Sequence, residues 1–324
     1  MFLPKAVMAH DGATSLRRLR HFLLVLSLLA AGTTFTMTGS KAEAAERCPL
    51  GGGWGSMEVV ASAVPGITDF ELFRFADLDG DGDDDRLLLD VIGGVREWRN
   101  DRGGRWAYRG RIALGTGYPP ERVKFADLNG DGKDDYLVVK NDGALDAWIN
   151  EGGDLTGPEG ITPRWRGVGQ IARGTGASPH QIYFGDLDGD GDDDYVSESS
   201  STGRVSAWRN DGGDRPGYDG WTSWSGNLPT NGGSEMRREF ADVNCDGLED
   251  LTHLSPQSAL FTFVNLGRQD SSWASYPSLT SESSDDPSNR VRIAELNGDG
   301  KVDYLLMTGE GMLLGRLNKG GDAS

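Results

Sequence analysis

Asp77-Leu78-Asp79-Gly80-Asp81-Gly82-Asp83-Asp84-Asp85 sets a carboxylate at every odd position of a nine-residue, glycine-turned loop. The loop recurs in register at Asp127 to Asp135, Asp186 to Asp194, Asp242 to Asp250 and Glu295 to Asp303. Hard cations such as calcium take roughly six to eight oxygen ligands, which such a loop supplies from positions 1, 3, 5 and 9 and from the main-chain carbonyl of position 7. The expected ligand sets are Asp77, Asp79, Asp81, Asp83 and Asp85; Asp127, Asn129, Asp131, Lys133 and Asp135; Asp186, Asp188, Asp190, Asp192 and Asp194; Asp242, Asn244, Asp246, Leu248 and Asp250; and Glu295, Asn297, Asp299, Lys301 and Asp303. Up to five calcium ions are expected.

An EF-hand would carry a bidentate Glu at position 12 between two helices. Position 12 here is Leu88, Val138, Ser197, His253 and Leu306. Each ligand set ends at position 9 instead, and position 6 is always glycine, which takes φ > 0 without steric cost. The flanks alternate as strands do, Val123-Lys124-Phe125-Ala126 before the second loop and Tyr136-Leu137-Val138-Val139 after it. The unit is therefore strand, loop, strand.

The repeat runs on past the loop. A second strand after it ends in aromatic-x-Asn, as Trp98-Arg99-Asn100, Trp148-Ile149-Asn150, Trp208-Arg209-Asn210 and Phe263-Val264-Asn265, fading to Arg316-Leu317-Asn318. A further strand opens on Trp106, Trp165, Trp221 or Trp273, so each unit holds four short strands. Loop starts lie 50, 59, 56 and 53 residues apart, the period of propeller blades. Trp54 to Ala61 is a fourth strand with no blade before it, and the last unit stops after its third strand. The expected fold is all-β, a five-bladed propeller of four-stranded blades in which the N-terminal strand completes the last blade and leaves no open edge.

Phe75-Ala76-Asp77, Phe125-Ala126-Asp127, Phe184-Gly185-Asp186, Phe240-Ala241-Asp242 and the weakened Ile293-Ala294-Glu295 open the loops. With the loops they resemble the FG-GAP (VCBS-like) repeat family, the blades of the integrin-α-type propeller. The resemblance implies a calcium-binding propeller; the family's functions range from adhesion and lectin activity to accessory domains of secreted hydrolases, so fold transfers better than function.

Arg17, Arg18, Arg20 and His21 precede the apolar run Phe22 to Ala31, and Ala42-Glu43-Ala44 offers a cleavage site. Residues 1–45 read as a secretory signal peptide and 46–324 as the propeller, with secretion to the extracellular space expected and no other segment long enough to span a membrane. Without residues 1–45 the chain carries 27 basic and 48 acidic residues, and the five loops hold 23 of the acids. The excess of negative charge thus reads largely as metal capacity, the basic residues look scattered, and nucleic acid is not an expected partner. Two cysteines in a secreted chain suggest one disulfide, Cys48 to Cys245, which would pin the N-terminal strand.

After residue 45 only His180 and His253 remain, and neither G-x-S-x-G nor H-E-x-x-H occurs, so serine hydrolase and zinc peptidase chemistry lack their parts. Both histidines read as structural or solvated. A carboxylate pair could hydrolyse glycosides, but the loops commit most candidates to cation binding. No enzyme activity is expected. Trp98, Trp148 and Trp208, with Tyr118 on the Gly115-Thr116-Gly117-Tyr118 connection, are candidates for stacking on a sugar face. The same residues fit inter-blade packing, and the Trp106, Trp165, Trp221 and Trp273 series fits it better. The function expected is a binding module for a glycan or, alternatively, an extracellular protein.

Overall fold

The structure, a computed structural model, describes residues 52–321 except 68, 103–104, 158–159, 216–218, 225–227, 230–236, 257, 268–272 and 277–289. The expected signal segment and Cys48 lie outside the described residues. Five four-stranded antiparallel sheets follow one another along the chain. Blade 1 is Phe73–Ala76, Asp85–Leu89, Val95–Asn100 and Trp106–Ala113; blade 2 is Val123–Ala126, Asp135–Val139, Leu145–Asn150 and Trp165–Ala172. Blade 3 is Ile182–Gly185, Asp194–Glu198, Val205–Asn210 and Trp221–Ser223; blade 4 is Arg237–Ala241, Asp250–Leu254, Leu260–Asn265 and Trp273–Tyr276. Blade 5 joins Val291–Ala294, Asp303–Met307 and Leu313–Arg316 to the N-terminal Glu58–Ala61. The five-bladed propeller expected from the repeat spacing is the fold.

Each second strand is buried along its whole length, as a strand packed on both faces must be, and in blades 1, 2 and 5 it ends in an apolar run. The core accordingly lies between blades. One cluster joins Leu137 and Leu145 of blade 2 to Ile182 and Tyr195 of blade 3, and another joins Phe73 and Leu88 of blade 1 to Leu305 and Leu313 of blade 5.

Closure uses two sheets. Glu58–Ala61 pairs with Leu313–Arg316, and Gly53–Trp54 pairs with Asn318–Gly321. One chain end thus completes the last blade from each direction, giving it the four strands of the other blades. Single 3-10 turns, Phe70–Leu72, Pro120–Arg122 and Pro179–Gln181, lead into the first strands of blades 1 to 3. Pro120 and Pro179 at the first helical position pre-set φ for these turns.

Candidate metal centres and inter-blade junctions

The glycines at position 6 do turn through positive φ, at 88° in Gly82 and 97° in Gly191. That turn wraps the backbone around the position-1 carboxylate: Asp79 and Gly80 N–H donate to Asp77 Oδ1 (3.2 and 2.8 Å), and Gly82 N–H donates to Oδ2 (2.8 Å). The position-9 carboxylate is fixed from the other side, with Asn100 N–H donating to Asp85 Oδ1 (2.8 Å) and Leu78 N–H to Oδ2 (3.3 Å). Asn150, Asn210, Asn265 and Asn318 N–H donate likewise to Asp135, Asp194, Asp250 and Asp303. This is the work of the asparagine in the aromatic-x-Asn signature.

Two loops gather three acids tightly enough to share one ion. The oxygens of Asp77, Asp79 and Asp81 lie within 4.8 Å of one another, and so do those of Asp186, Asp188 and Asp194. Asp79 Oδ1 and Asp188 Oδ1 are buried with no hydrogen-bond partner, an arrangement that costs free energy unless something positive faces them. Burial, followed by neighbouring carboxylates, pushes the Asp77, Asp186 and Asp188 carboxyls up and takes Asp85 and Asp194 to about 8. A divalent cation reverses that preference by favouring the ionised form. An all-oxygen donor set on a flexible loop suits calcium rather than a softer metal.

Position 3 is matched to the residue before the signature asparagine. Arg99 Nη1 sits 2.7 Å from Asp79 Oδ2, and Arg209 Nε 3.8 Å from Asp188 Oδ2, each holding one oxygen and leaving the other aimed into the loop. Where position 3 is Asn129, Asn244 or Asn297, the matching residue is the apolar Ile149, Val264 or Leu317. Loops 2 and 5 carry lysines at position 7, and these ammonium groups take the position-5 carboxylates: Lys133 Nζ is 3.6 Å from Asp131 and Lys301 Nζ 2.9 Å from Asp299. Glu295, though a methylene longer than Asp, accepts from Asn297, Gly298 and Gly300 N–H as Asp77 does from its loop.

Position-7 side chains face the neighbouring loop. Asp83 Oδ1, Lys133 Cγ, Asp192 Oδ1 and Leu248 Cδ2 each lie against position 4 of the loop before, where a Cβ on Gly298, Gly80, Gly130 or Gly189 would meet them at 2.8, 3.2, 2.6 and 2.9 Å. Loop 4 departs from glycine here, and Cys245 adopts φ 52°.

Position 8 is not part of the metal capacity that the acid count suggested. Asp134 N–H donates to Asp77 O, and its Oδ2 accepts from Asp77 N–H (3.0 Å); Asp193 does the same with Asp127, and Asp84 with Glu295. Glu249 and Val302 N–H donate to Asp186 O and Asp242 O, so the clasp passes round all five blades. Asn100 Nδ2 donates to Leu296 O and Asn150 Nδ2 to Leu78 O, a second clasp that Asn210, Asn265 and Asn318 repeat. Burial, with neighbouring carboxylates adding, raises Asp84 to about 7 and Asp193 to about 8, and lifts Asp134 and Glu249 well above the usual range.

The tryptophans that open fourth strands are junction residues. Trp106 Nε1–H donates to Val60 O (2.7 Å), Trp165 to Ile112 O (2.7 Å) and Trp221 to Ile171 O (2.6 Å), each across to the preceding blade. Between blades 1 and 2, Tyr136 stands edge-on to Phe125, Trp148 and Trp165, and its hydroxyl donates to Gly93 O (2.9 Å). Tyr195 repeats this with Phe184, Trp208, Trp221 and Gly143 O. Trp148 and Trp208 are thus packed against junction tyrosines, and Tyr118 packs into the core between blades 1 and 2. His253 is fully buried, edge-on to Phe263, and His180 is exposed on a 3-10 turn.

The ring-closing junction differs. Arg86 replaces the tyrosine, its guanidinium 4.5 Å from the Phe73 ring centroid and 5.9 Å from that of Trp98. Nη1 donates to Ser62 O (2.9 Å) and Nη2 to Gly311 O (3.4 Å), while Nε is buried without a partner. A cavity of about 450 Å³ opens here, lined by Val60, Ala63, Arg86, Trp98 and Trp106. The sequence named Trp98; nothing in it marked Arg86 beyond its standing where Tyr136, Tyr195 and Tyr304 stand in other repeats.

The chain carries FG-GAP-like repeats, matched over residues 77–138 and 127–197. No curated protein matches it in sequence. Among solved structures it is similar to an Agrocybe aegerita lectin that recognises non-reducing terminal N-acetylglucosamine, at 19% identity and a TM-score of 0.44, over 78% of this chain and 64% of that one. It is also similar to the BP39L lectin of Burkholderia pseudomallei, at 16% identity and a TM-score of 0.42, over 76% of this chain and 66% of that one. The Photorhabdus luminescens Tc holotoxin pore matches at 20% identity and a TM-score of 0.44, over 81% of this chain and 12% of that one.

Proposed function

We propose that the protein is a secreted, calcium-loaded binding propeller that takes a carbohydrate in the cavity at its ring-closing junction. The observation that carries this reading is the exchange of tyrosine for Arg86. In blades 2 and 3 a tyrosine fills the junction and occupies the neighbouring indoles, whereas beside Arg86 a cavity of about 450 Å³ remains, walled by Trp98. An indole face suits the C–H face of a pyranose, and a guanidinium edge supplies donors for its hydroxyls. The volume lies within the range of about 300–1,000 Å³ usual for small-molecule sites.

Calcium stands behind this site as scaffold. Asp77, Asp79, Asp81, Asp186, Asp188 and Asp194 would hold the ions most firmly, and an ion in loop 1 would brace the blade that carries Arg86 and Trp98. Secretion is supported by the apolar run Phe22 to Ala31 with Ala42-Glu43-Ala44 after it. The pairing of Cys48 with Cys245 rests on there being two cysteines in a chain expected to be secreted, and peptide mapping without reduction would test it.

A glycan array probed with the wild-type chain and with Trp98→Ala, each with calcium and with EDTA, tests the reading. Retention of a defined glycan set by the wild type in calcium, lost in Trp98→Ala and weakened in EDTA, is the expected result. No glycan retained, or retention indifferent to Trp98, would overturn it.

A further inference from the structure

Arg74, Lys124, Tyr183, Glu239 and Arg292 occupy one register position, each two residues before the small residue that ends its blade's first strand. The first strands surround the propeller axis, so one position repeated five times becomes one ring. Three of its members are cations, and Arg237 from blade 4 makes a fourth, which corrects the expectation that the basic residues are scattered. They line a cavity of about 760 Å³ whose wall also includes Phe75, Phe125, Phe184 and Phe240.

Three of the cations are fixed in place by main-chain carbonyls. Arg74 Nη1 donates to Glu71 O (2.7 Å) and Nη2 to Pro120 O (3.0 Å). Arg292 Nη1 donates to Val291 O (2.8 Å) and Nη2 to Phe70 O (3.0 Å), and Arg237 Nη1 donates to Val291 O (2.9 Å). Carbonyls orient these guanidinium groups without neutralising them. The carboxylates nearby are partly engaged: Glu239 pairs with Arg237, Glu198 pairs with Arg238, and Glu71 is 63% exposed at 3.8 Å from Arg292. The Lys124 ammonium has no hydrogen bond and no ion pair among the described residues. Burial, then Arg74, Arg237 and Arg292, lowers its ammonium to about 7, and burial followed by Arg292 lowers Arg74. The wall carries five cationic side chains against four carboxylates, Glu121 being the fourth, in a chain whose net charge is −18.

We propose that this axial cavity is a binding site for a small organic anion, with carboxylate, sulfate or phosphate oxygens on Lys124, Arg74 and Arg292 and an apolar body against the phenylalanines. Fixed guanidinium groups provide fork-shaped donors for planar or tetrahedral oxyanions, and Lys124 adds a mobile point charge. Partial burial of Arg74 and Lys124 and burial of Arg292 strengthen each contact relative to one at the open surface. The site is separate from the Trp98 cavity and stands whether or not that cavity binds sugar.

The test is calorimetric titration of the full chain, in saturating calcium chloride at pH 6.5, with inorganic sulfate, glutarate and glucose 6-sulfate as probes. At least one probe is expected to bind with one-to-one stoichiometry. Sulfate alone binding would identify a bare oxyanion site, and glutarate or glucose 6-sulfate binding more tightly would identify the organic body as part of the ligand. Lys124→Met is expected to weaken the bound probe about tenfold, the size of one charge-assisted contact, and Lys124→Arg to retain it. Trp98→Ala should leave the affinity unchanged, and matching melting curves with Lys124→Arg serve as the folding control. Absence of binding by all three probes, or binding unchanged in Lys124→Met, would overturn the proposal.

Discussion

Glu249 and Gly185 are fitted to each other across the junction of blades 3 and 4: a Cβ on Gly185 would overlap Glu249 Oε2. The other blades end their first strands in Ala76, Ala126, Ala241 or Ala294, and the position-8 residue clasped against them is Asp or, in blade 5, Val302. Glutamate is one methylene longer than aspartate, and only in this pair has the alanine methyl been given up.

Gly185→Ala is therefore expected to destabilise by about 1–3 kcal/mol, the usual range for overpacking a filled interior. Glu249→Asp in the same chain should recover part of the loss, because the shorter side chain withdraws from the new methyl. Denaturant unfolding of both single variants and the double variant gives the coupling. Strictly additive effects would show that the two residues do not sense each other.

The cation ring makes a pH prediction. The Lys124 ammonium falls from the usual 10.5 to about 7, by burial first and then by Arg74, Arg237 and Arg292, with Glu71 opposing. Between those values the unfolded chain binds the extra proton, so this group's contribution to stability rises with pH over that window and its penalty is complete below about pH 7. Lys124→Met should melt above the wild type at pH 6, and the gap should shrink as pH approaches 10. Melting curves in saturating calcium measure it, and a gap that does not change with pH would contradict the assignment.

Loops 1 and 3 are expected to fill with calcium before loop 5. Their acids converge without a lysine among them, while Lys301 already holds Asp299. In calorimetric titration, Asp81→Ala should remove a tight class of site and Asp299→Ala only a weak one. Arg99 and Arg209 offset the additional Asp at position 3, so the difference comes from the lysines more than from formal charge. The reverse pattern of losses would contradict the order.

Much of the fold was legible because one motif, repeated five times, gives both the strand pattern and the period. Trp54 at the N-terminus even fixed the manner of closure, since its spacing to Phe73 repeats that of Trp106 to Phe125. What could not be read was direction. Asp83, Asp84 and Asp85 are adjacent and chemically identical, yet one covers the neighbouring loop, one clasps the preceding blade and one is held by Asn100. Only the turn geometry separates them. The cation ring was hidden for a related reason: Arg74, Lys124 and Arg292 are far apart in sequence and meet only because their blades share an axis. The Trp98 cavity depended on Arg86, which looks unexceptional until its register partners prove to be tyrosines filling their junctions.

The central claim is that calcium holds these blades together. Loops 1 and 3 keep carboxylates close to one another, with buried oxygens at Asp79 and Asp188, so a metal-free protein would carry repulsion that a bound ion removes. A site at one hundred times its dissociation constant adds about 2.7 kcal/mol, which in a domain of this size raises the melting temperature on the order of 5 °C or more. Thermal unfolding of the wild-type chain in EDTA and across a calcium chloride titration is the direct measurement. The account predicts a melting temperature that climbs with free calcium and falls back on chelation; a curve identical in EDTA and in millimolar calcium would contradict it.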